Sequence, residues 1–334
     1  VPLPVRSRLV GLAAGLVAAA LLPSAHAQAV KAQAKAKAQA KAAPRYAVPP
    51  TYANVPYGEH ERQVLDFFKA ESDGPAPLVV YIHGGGWNSG DKMSFGDLKK
   101  LLDAGVSVAT INYRLVPQAR EAGVKPPVKW PLEDAARALQ FLRSKAGEWG
   151  FDKARIGATG GSAGACSSLW LAFHDDMAKP DSPDPVARES TRLAAAAVNG
   201  AQTTLDPKIT RAWIPNMKYG GHAFGFAAEG GKSQFDVFYD RRDEVADWVR
   251  EYSPLSHVTR DDPPVFLNYP AQDKPPVKGE EQKDPTHSAL LGLILEEKLK
   301  AEGVEGHLAY PGALDDHYKT PADFLIAKLK PAKP

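Results

Sequence analysis

Apolar and polar positions alternate along this chain in two rhythms. Leu78–His83, Val106–Tyr113, Arg155–Thr159, Leu193–Val198, Val265–Tyr269 and His307–Tyr310 are short runs, rich in β-branched residues or bounded by Gly and Pro, and they predict strands. Leu132–Glu148 and Leu290–Glu302 instead place apolar residues at helical spacing, and Gly303 ends the second. Strands separated by helices predict a mostly parallel central sheet flanked by helices on both faces. One stretch departs from this alternation. Residues 204–259 carry Trp213, Tyr219, Phe224, Phe226, Phe235, Phe238, Tyr239 and Trp248 among many charges, and read as an insertion ahead of the next-to-last strand.

The N-terminus follows neither rhythm. Arg6 and Arg8 precede the apolar stretch Leu9–Leu22, and Pro23 and Ala25-His26-Ala27 follow it, the outline of a signal peptide over residues 1–27. A spanning helix needs about 20 apolar residues, so no integral membrane span is expected, and the destination is periplasmic or secreted. Residues 28–45 form an Ala/Lys/Gln-rich basic tether that can bury almost nothing. Residues 46–334 then make one folded domain.

The tail also changes the meaning of the charge. The whole chain has a net +2, but residues 1–45 hold seven basic residues and no acidic ones, leaving 34 basic against 39 acidic residues in 46–334. No nucleic-acid partner is implied. Cys166, the single cysteine among 334 residues, rules out an intrachain disulfide.

Candidate chemistry lies at two glycine-rich corners. In "RIGATGGSAGACSSLWLAF" a strand runs into Gly160-Gly161-Ser162-Ala163-Gly164 and a helix-forming stretch follows, which is G-x-S-x-G in its strand–turn–helix setting. The turn strains the Ser162 backbone and exposes its hydroxyl at a helix start, which makes Ser162 the candidate nucleophile. The second corner is "YIHGGGWNSG", residues 81–90. A serine attacking a carbonyl develops an oxyanion that needs donors already in place, and glycines let backbone N–H groups approach without a Cβ. Gly85 and Gly86, with the N–H of Ala163, are the candidate oxyanion hole, and His83 is expected to hold the loop.

"HGGGW", "GGSAGA", "INYRL" and "PLEDAARALQFLRSKA" together resemble the α/β-hydrolase superfamily, in particular its hormone-sensitive-lipase-like carboxylesterases and the bacterial feruloyl and acetyl-xylan esterases. The similarity covers roughly residues 52–330 and implies an α/β-hydrolase fold in which 204–259 acts as a cap. It also implies a Ser-Asp-His triad in that chain order, with the acid after the next-to-last strand and the histidine after the last. On that pattern Asp273 in "YPAQDK" is the acid, with Asp284 as runner-up beyond the inserted "KPPVKGEEQKD". His317 in "PGALDDHY" is the base, and His287 in "DPTHSALL" is the alternative. Trp87, Phe224 and Phe226 are the expected substrate-binding residues, whereas Asp134 reads as scaffold.

The function this implies is hydrolysis of short-chain or carbohydrate-linked acyl esters by a serine carboxylesterase. That chemistry calls for no cofactor and no metal. Its substrate would be a small-molecule or polysaccharide-linked ester, and the sequence is silent on oligomeric state. Two alternatives stay open: a weakened α/β-hydrolase serving as a carbohydrate- or ligand-binding module, and a small serine peptidase.

Overall fold

Strand by strand, burial alternates between two cores, and that alternation builds the architecture of the computed structural model, which describes Val1 and residues 46–330. The expected signal peptide and tether otherwise lie outside the described residues. The strands are β1 (Tyr52–Pro56), β2 (Val64–Phe68), β3 (Ala76–Ile82), β4 (Ser107–Ile111), β5 (Phe151–Gly161), β6 (Ala195–Asn199), β7 (Val265–Asn268) and β8 (Gly306–Ala309). They form one sheet in the order β1-β2-β4-β3-β5-β6-β7-β8. β2 pairs antiparallel with β1 and β4, and every other neighbour is parallel. The antiparallel edge, β1 with β2, has no counterpart among the six predicted strands.

The helices are α1 (Leu98–Asp103), α2 (Val116–Glu121), α3 (Lys129–Trp149), α4 (Ala163–Phe173), α5 (Pro207–Trp213), α6 (Gln234–Asp240), α7 (Ala246–Tyr252), α8 (Ala289–Glu302) and α9 (Pro321–Leu329). Leu78, Val80, Ile82, Ala196, Val198 and Leu267 share one core with the apolar faces of α3, α4 and α8. Their strand neighbours Val79, Ala195, Ala197 and Phe266 share the other with α1 and α9. The period of two places successive side chains on opposite faces, and burying a ring such as Phe266 contributes about 1.5–3 kcal/mol. Helix α3 stops at Gly150, whose φ of 76° supplies the left-handed cap.

Between β6 and β7 the chain leaves the sheet for α5, α6, α7 and short 3-10 turns. This segment adds its aromatic rings to the first of those cores, the Phe224 and Phe226 rings lying 5.0 and 5.2 Å from that of Phe238. Among the described residues no helix is long and apolar enough to cross a membrane.

Candidate active site

β3, β5, β6 and β7 end level with one another, with Ile82 opposite Gly160, Gly161 opposite Asn199, and Asn199 opposite Asn268. The glycine-rich corners therefore meet at one edge. Ser162 sits between β5 and α4 with φ 54° and ψ −122°, a conformation costly for any side-chain-bearing residue. Its N–H donates to the Asn199 carbonyl at 3.0 Å, which fixes the turn. A Cβ on Gly160 would come within 2.6 Å of Gly164 backbone atoms, and one on Gly164 would run into the Ile82 and His83 carbonyls. The spacing of the motif thus follows from the closeness of strand and helix.

Gly85 and Gly86 have φ of 97° and 61°. Among the described residues, the N–H groups of Gly85, Gly86 and Ala163 have no hydrogen-bond acceptor. The loop they occupy is held from both sides. His83 donates from Nδ1 to the Gly84 carbonyl at 2.8 Å, and its ring stacks on Tyr113 at 4.2 Å. Burial pushes the His83 imidazole down to about 4, so it stays neutral. From the insertion, His222 donates from Nε2 to the Gly86 carbonyl at 2.9 Å, and burial lowers its pKa too.

The imidazole beside Ser162 belongs to His287: its Nε2 lies 2.9 Å from the Ser162 Oγ. Its Nδ1 lies 2.7 Å from Asp284 Oδ2, and Asp284 Oδ1 also accepts the His287 backbone N–H at 3.3 Å. Asp284 caps the 3-10 turn Pro285–His287, and Ser288 then caps α8. One carboxylate therefore fixes both the backbone and the ring of the histidine three residues on. Gly200, at φ 58°, leaves the space the ring fills, since a Cβ there would lie 3.2 Å from His287 Cδ2.

His317 and Asp273, the base and acid expected from the resemblance, are not brought to Ser162. After β8 the chain turns sharply, with Tyr310 and Ala313 bonded to each other in both directions. Asp315 then accepts from the backbone N–H groups of His317 and Tyr318 and from His307 Nδ1. Tyr318 packs 5.0 Å from Phe324 in the α9-side core, and this carries exposed His317 away from the serine. Asp273 faces Lys283 at 3.8 Å.

The route of residues 272–288 explains why the positions expected to be secondary take the site. Gln272 donates to Gln282 Oε1 at 3.2 Å across the inserted loop, and its own Oε1 accepts the Ala289 N–H at 2.8 Å. Asn216, from the insertion, bonds the Gln282 backbone in both directions. Gln202 donates to the Thr286 carbonyl at 2.8 Å. These amides, with His222, were missed in the sequence, where buried Gln and Asn carry no periodic signal. Asp284 and His287 did leave one: an acid, Pro and a histidine within one turn, ahead of a serine cap and an apolar helix.

The expected substrate-binding aromatics also lie elsewhere. Trp87 is fully buried and donates from Nε1 to Ser167 Oγ at 3.0 Å. Phe224 and Phe226 line a cleft of about 660 Å³ with Arg120, Pro127 and Trp248, apart from the serine. The cavity at Ser162 is about 330 Å³ and is lined by Gly84, Asn199, Gly200, Tyr269, Ala271 and His287, among others. As the sequence suggested, Asp134 is buried scaffold, accepting from Arg114 and Gln63.

A family model described as BD-FAE matches residues 65–281, ending three residues before Asp284. Esterase LipC of Mycobacterium tuberculosis is 24% identical over 65% of this chain and 50% of its own length. The probable carboxylic ester hydrolase LipM of the same organism is 32% identical over 66% and 47%. The chain thus spans about half the length of these relatives. Among solved structures, an acetyl ester-xyloside bifunctional hydrolase from Caldicellulosiruptor lactoaceticus aligns with a TM-score of 0.57 at 22% identity, over 79% of this chain and 86% of that one. A carbohydrate esterase from gut microbiota aligns at 0.61 and 20%, over 86% and 98%. With the sheet order above, these likenesses establish the α/β-hydrolase fold, and this chain belongs to the BD-FAE family.

Proposed function

We propose that the protein is a serine carboxylic-ester hydrolase working through Ser162, His287 and Asp284. The observation that carries this reading is the continuous line from Ser162 Oγ to His287 Nε2 and from His287 Nδ1 to Asp284 Oδ2, at 2.9 and 2.7 Å. Ser162 Oγ adds to the ester carbonyl carbon while His287 takes its proton, and the C=O pair moves onto oxygen. The N–H groups of Gly85, Gly86 and Ala163 receive that oxyanion. As the C–O bond to the alcohol breaks, His287 returns the proton to the leaving oxygen, and a water then repeats the sequence on the acyl-enzyme. Asp284 keeps the hydrogen on Nδ1 and balances the imidazolium charge.

The cavity beside Ser162, about 330 Å³, lies at the small end of ligand pockets, which favours short acyl groups. The carbohydrate esterase and the acetyl ester-xyloside hydrolase among the structural neighbours support an acylated sugar as one alcohol class. A panel of p-nitrophenyl esters from acetyl to octanoyl, together with acetylated xylan, tests both points. Acetyl to butyryl esters should be preferred, and Ser162→Ala should abolish turnover and fluorophosphonate labelling. Hydrolysis that survives Ser162→Ala would refute the assignment.

A further inference from the structure

His174 follows α4 directly, at the far end of the helix that begins beside Ser162, and there it meets the insertion. Its Nδ1 lies 2.8 Å from the Asp175 carbonyl, and its Nε2 lies 3.1 Å from Glu251 Oε1 on α7. A carbonyl only accepts, so Nδ1 carries the hydrogen, and a neutral ring then turns an unshared pair toward a carboxylate. Such a contact needs a cation between the two atoms, either a proton or a metal ion. His257 also bonds a backbone carbonyl: its Nε2 donates to the Glu251 carbonyl at 2.6 Å, which leaves Nδ1 as the unshared pair.

The two rings lie 4.8 Å apart at 40°, and one ligand atom from each of His174, Glu251 and His257 falls within 4.8 Å of the others. A tetrahedral ion with bonds near 2.0–2.2 Å holds its ligands about 3.4 Å apart. The His174–Glu251 edge already has that scale. Imidazoles that donate their second N–H to a backbone carbonyl have the outer partner typical of ligating histidines. The nearby cation, Arg192, is engaged by Asp261 and Asp262 and reaches His174 only at its carbonyl.

We propose that His174, Glu251 and His257 form a site for a divalent transition-metal ion of the zinc class, which ties the C-terminal end of α4 to the insertion. Two imidazoles and one carboxylate suit such an ion. The site lies about 18 Å along the helix from Ser162, so its role is to clamp the fold, apart from the ester chemistry. A second cluster, His307, Asp315 and His317, is a poorer candidate: both nitrogens of His307 are taken by Asp315 and Glu305, and Lys328 pairs with Glu305.

The test uses the full chain, stripped with a chelator and titrated with ZnCl2 by calorimetry, with Co2+ absorption as a second readout. One equivalent is expected at micromolar affinity or tighter. Glu251→Gln should weaken it at least tenfold, His257→Ala about a hundredfold, and His317→Ala should leave it unchanged. Near-UV circular dichroism checks that each variant is folded, and Glu251→Gln preserves side-chain volume if the histidine variants unfold. No binding by the parent chain would make the cluster an imidazolium–carboxylate pair only and overturn the proposal. So would binding that survives Glu251→Gln and His257→Ala, or that disappears with His317→Ala.

Discussion

Replacing Asp284 by Asn separates the two possible acids most sharply. The substitution keeps size and the backbone cap but removes the charge 2.7 Å from His287 Nδ1. In a buried triad the same change lowers kcat by about ten-thousandfold. Here the Asp284 side chain is 43% exposed, so solvent screens part of the attraction to the imidazolium. Two unit charges about 4 Å apart attract by about 4 kcal/mol at an effective dielectric of 20 and about 1 kcal/mol in water. A loss of about 3–4 kcal/mol, including the disturbed tautomer, corresponds to a fall in kcat of about 10²- to 10³-fold. KM for p-nitrophenyl acetate should change little, because Asp284 does not line the acyl cavity. Asp273→Asn, on a carboxylate facing only Lys283, should remain within about twofold of the parent. An inactive, folded Asp273→Asn beside a fully active Asp284→Asn would refute the reasoning.

His287→Ala should abolish turnover whereas His317→Ala should not, read with the same ester and a fluorophosphonate probe. Gly200→Ala should reduce kcat at least tenfold and lower Tm, since the new Cβ meets the His287 ring at a backbone φ of 58°. Phe224→Ala should cost about 3–5 kcal/mol in denaturant unfolding with acyl-chain preference unchanged, because its ring is buried against Phe238; a selectivity change without a stability loss would return it to the substrate pocket. Buried His83 has its pKa lowered from 6.5 to about 4, so the unfolded chain binds the extra proton first. Its contribution is whole above about pH 6.5 and falls away toward pH 4, by about 3 kcal/mol, and His83→Asn should flatten the Tm–pH curve across that window.

Much of this molecule is written locally in its sequence. The elbow around Ser162 and the loop at Gly85 and Gly86 are legible because their chemistry is backbone chemistry: positive φ and close approach demand glycine at fixed spacings, whatever the rest of the chain does. The parallel core was equally readable, since strand and helix periods are properties of neighbouring residues. Predictions that depended on which loop arrives at the serine failed. Both loops at the sheet edge contain an aspartate and a histidine, and the local signal around Asp284 and His287, an acid, Pro and a histidine ahead of a serine-capped helix, marks a turn without saying that the turn meets the serine. The choice falls to the partners each loop finds: Gln202 and Asn216, with the Gln272–Gln282 bond, draw Asp284 and His287 over the serine, while the Tyr310–Ala313 turn and the seating of Tyr318 against Phe324 hold His317 away. The Gln202–Thr286 and Asn216–Gln282 bonds join residues 84 and 66 apart in the chain, and they form only once the sheet has brought those segments together. Thus the sequence by itself determined the strained turn at Ser162 and the glycine loop at Gly85 and Gly86, while tertiary packing decided that His287 and Asp284 stand beside Ser162.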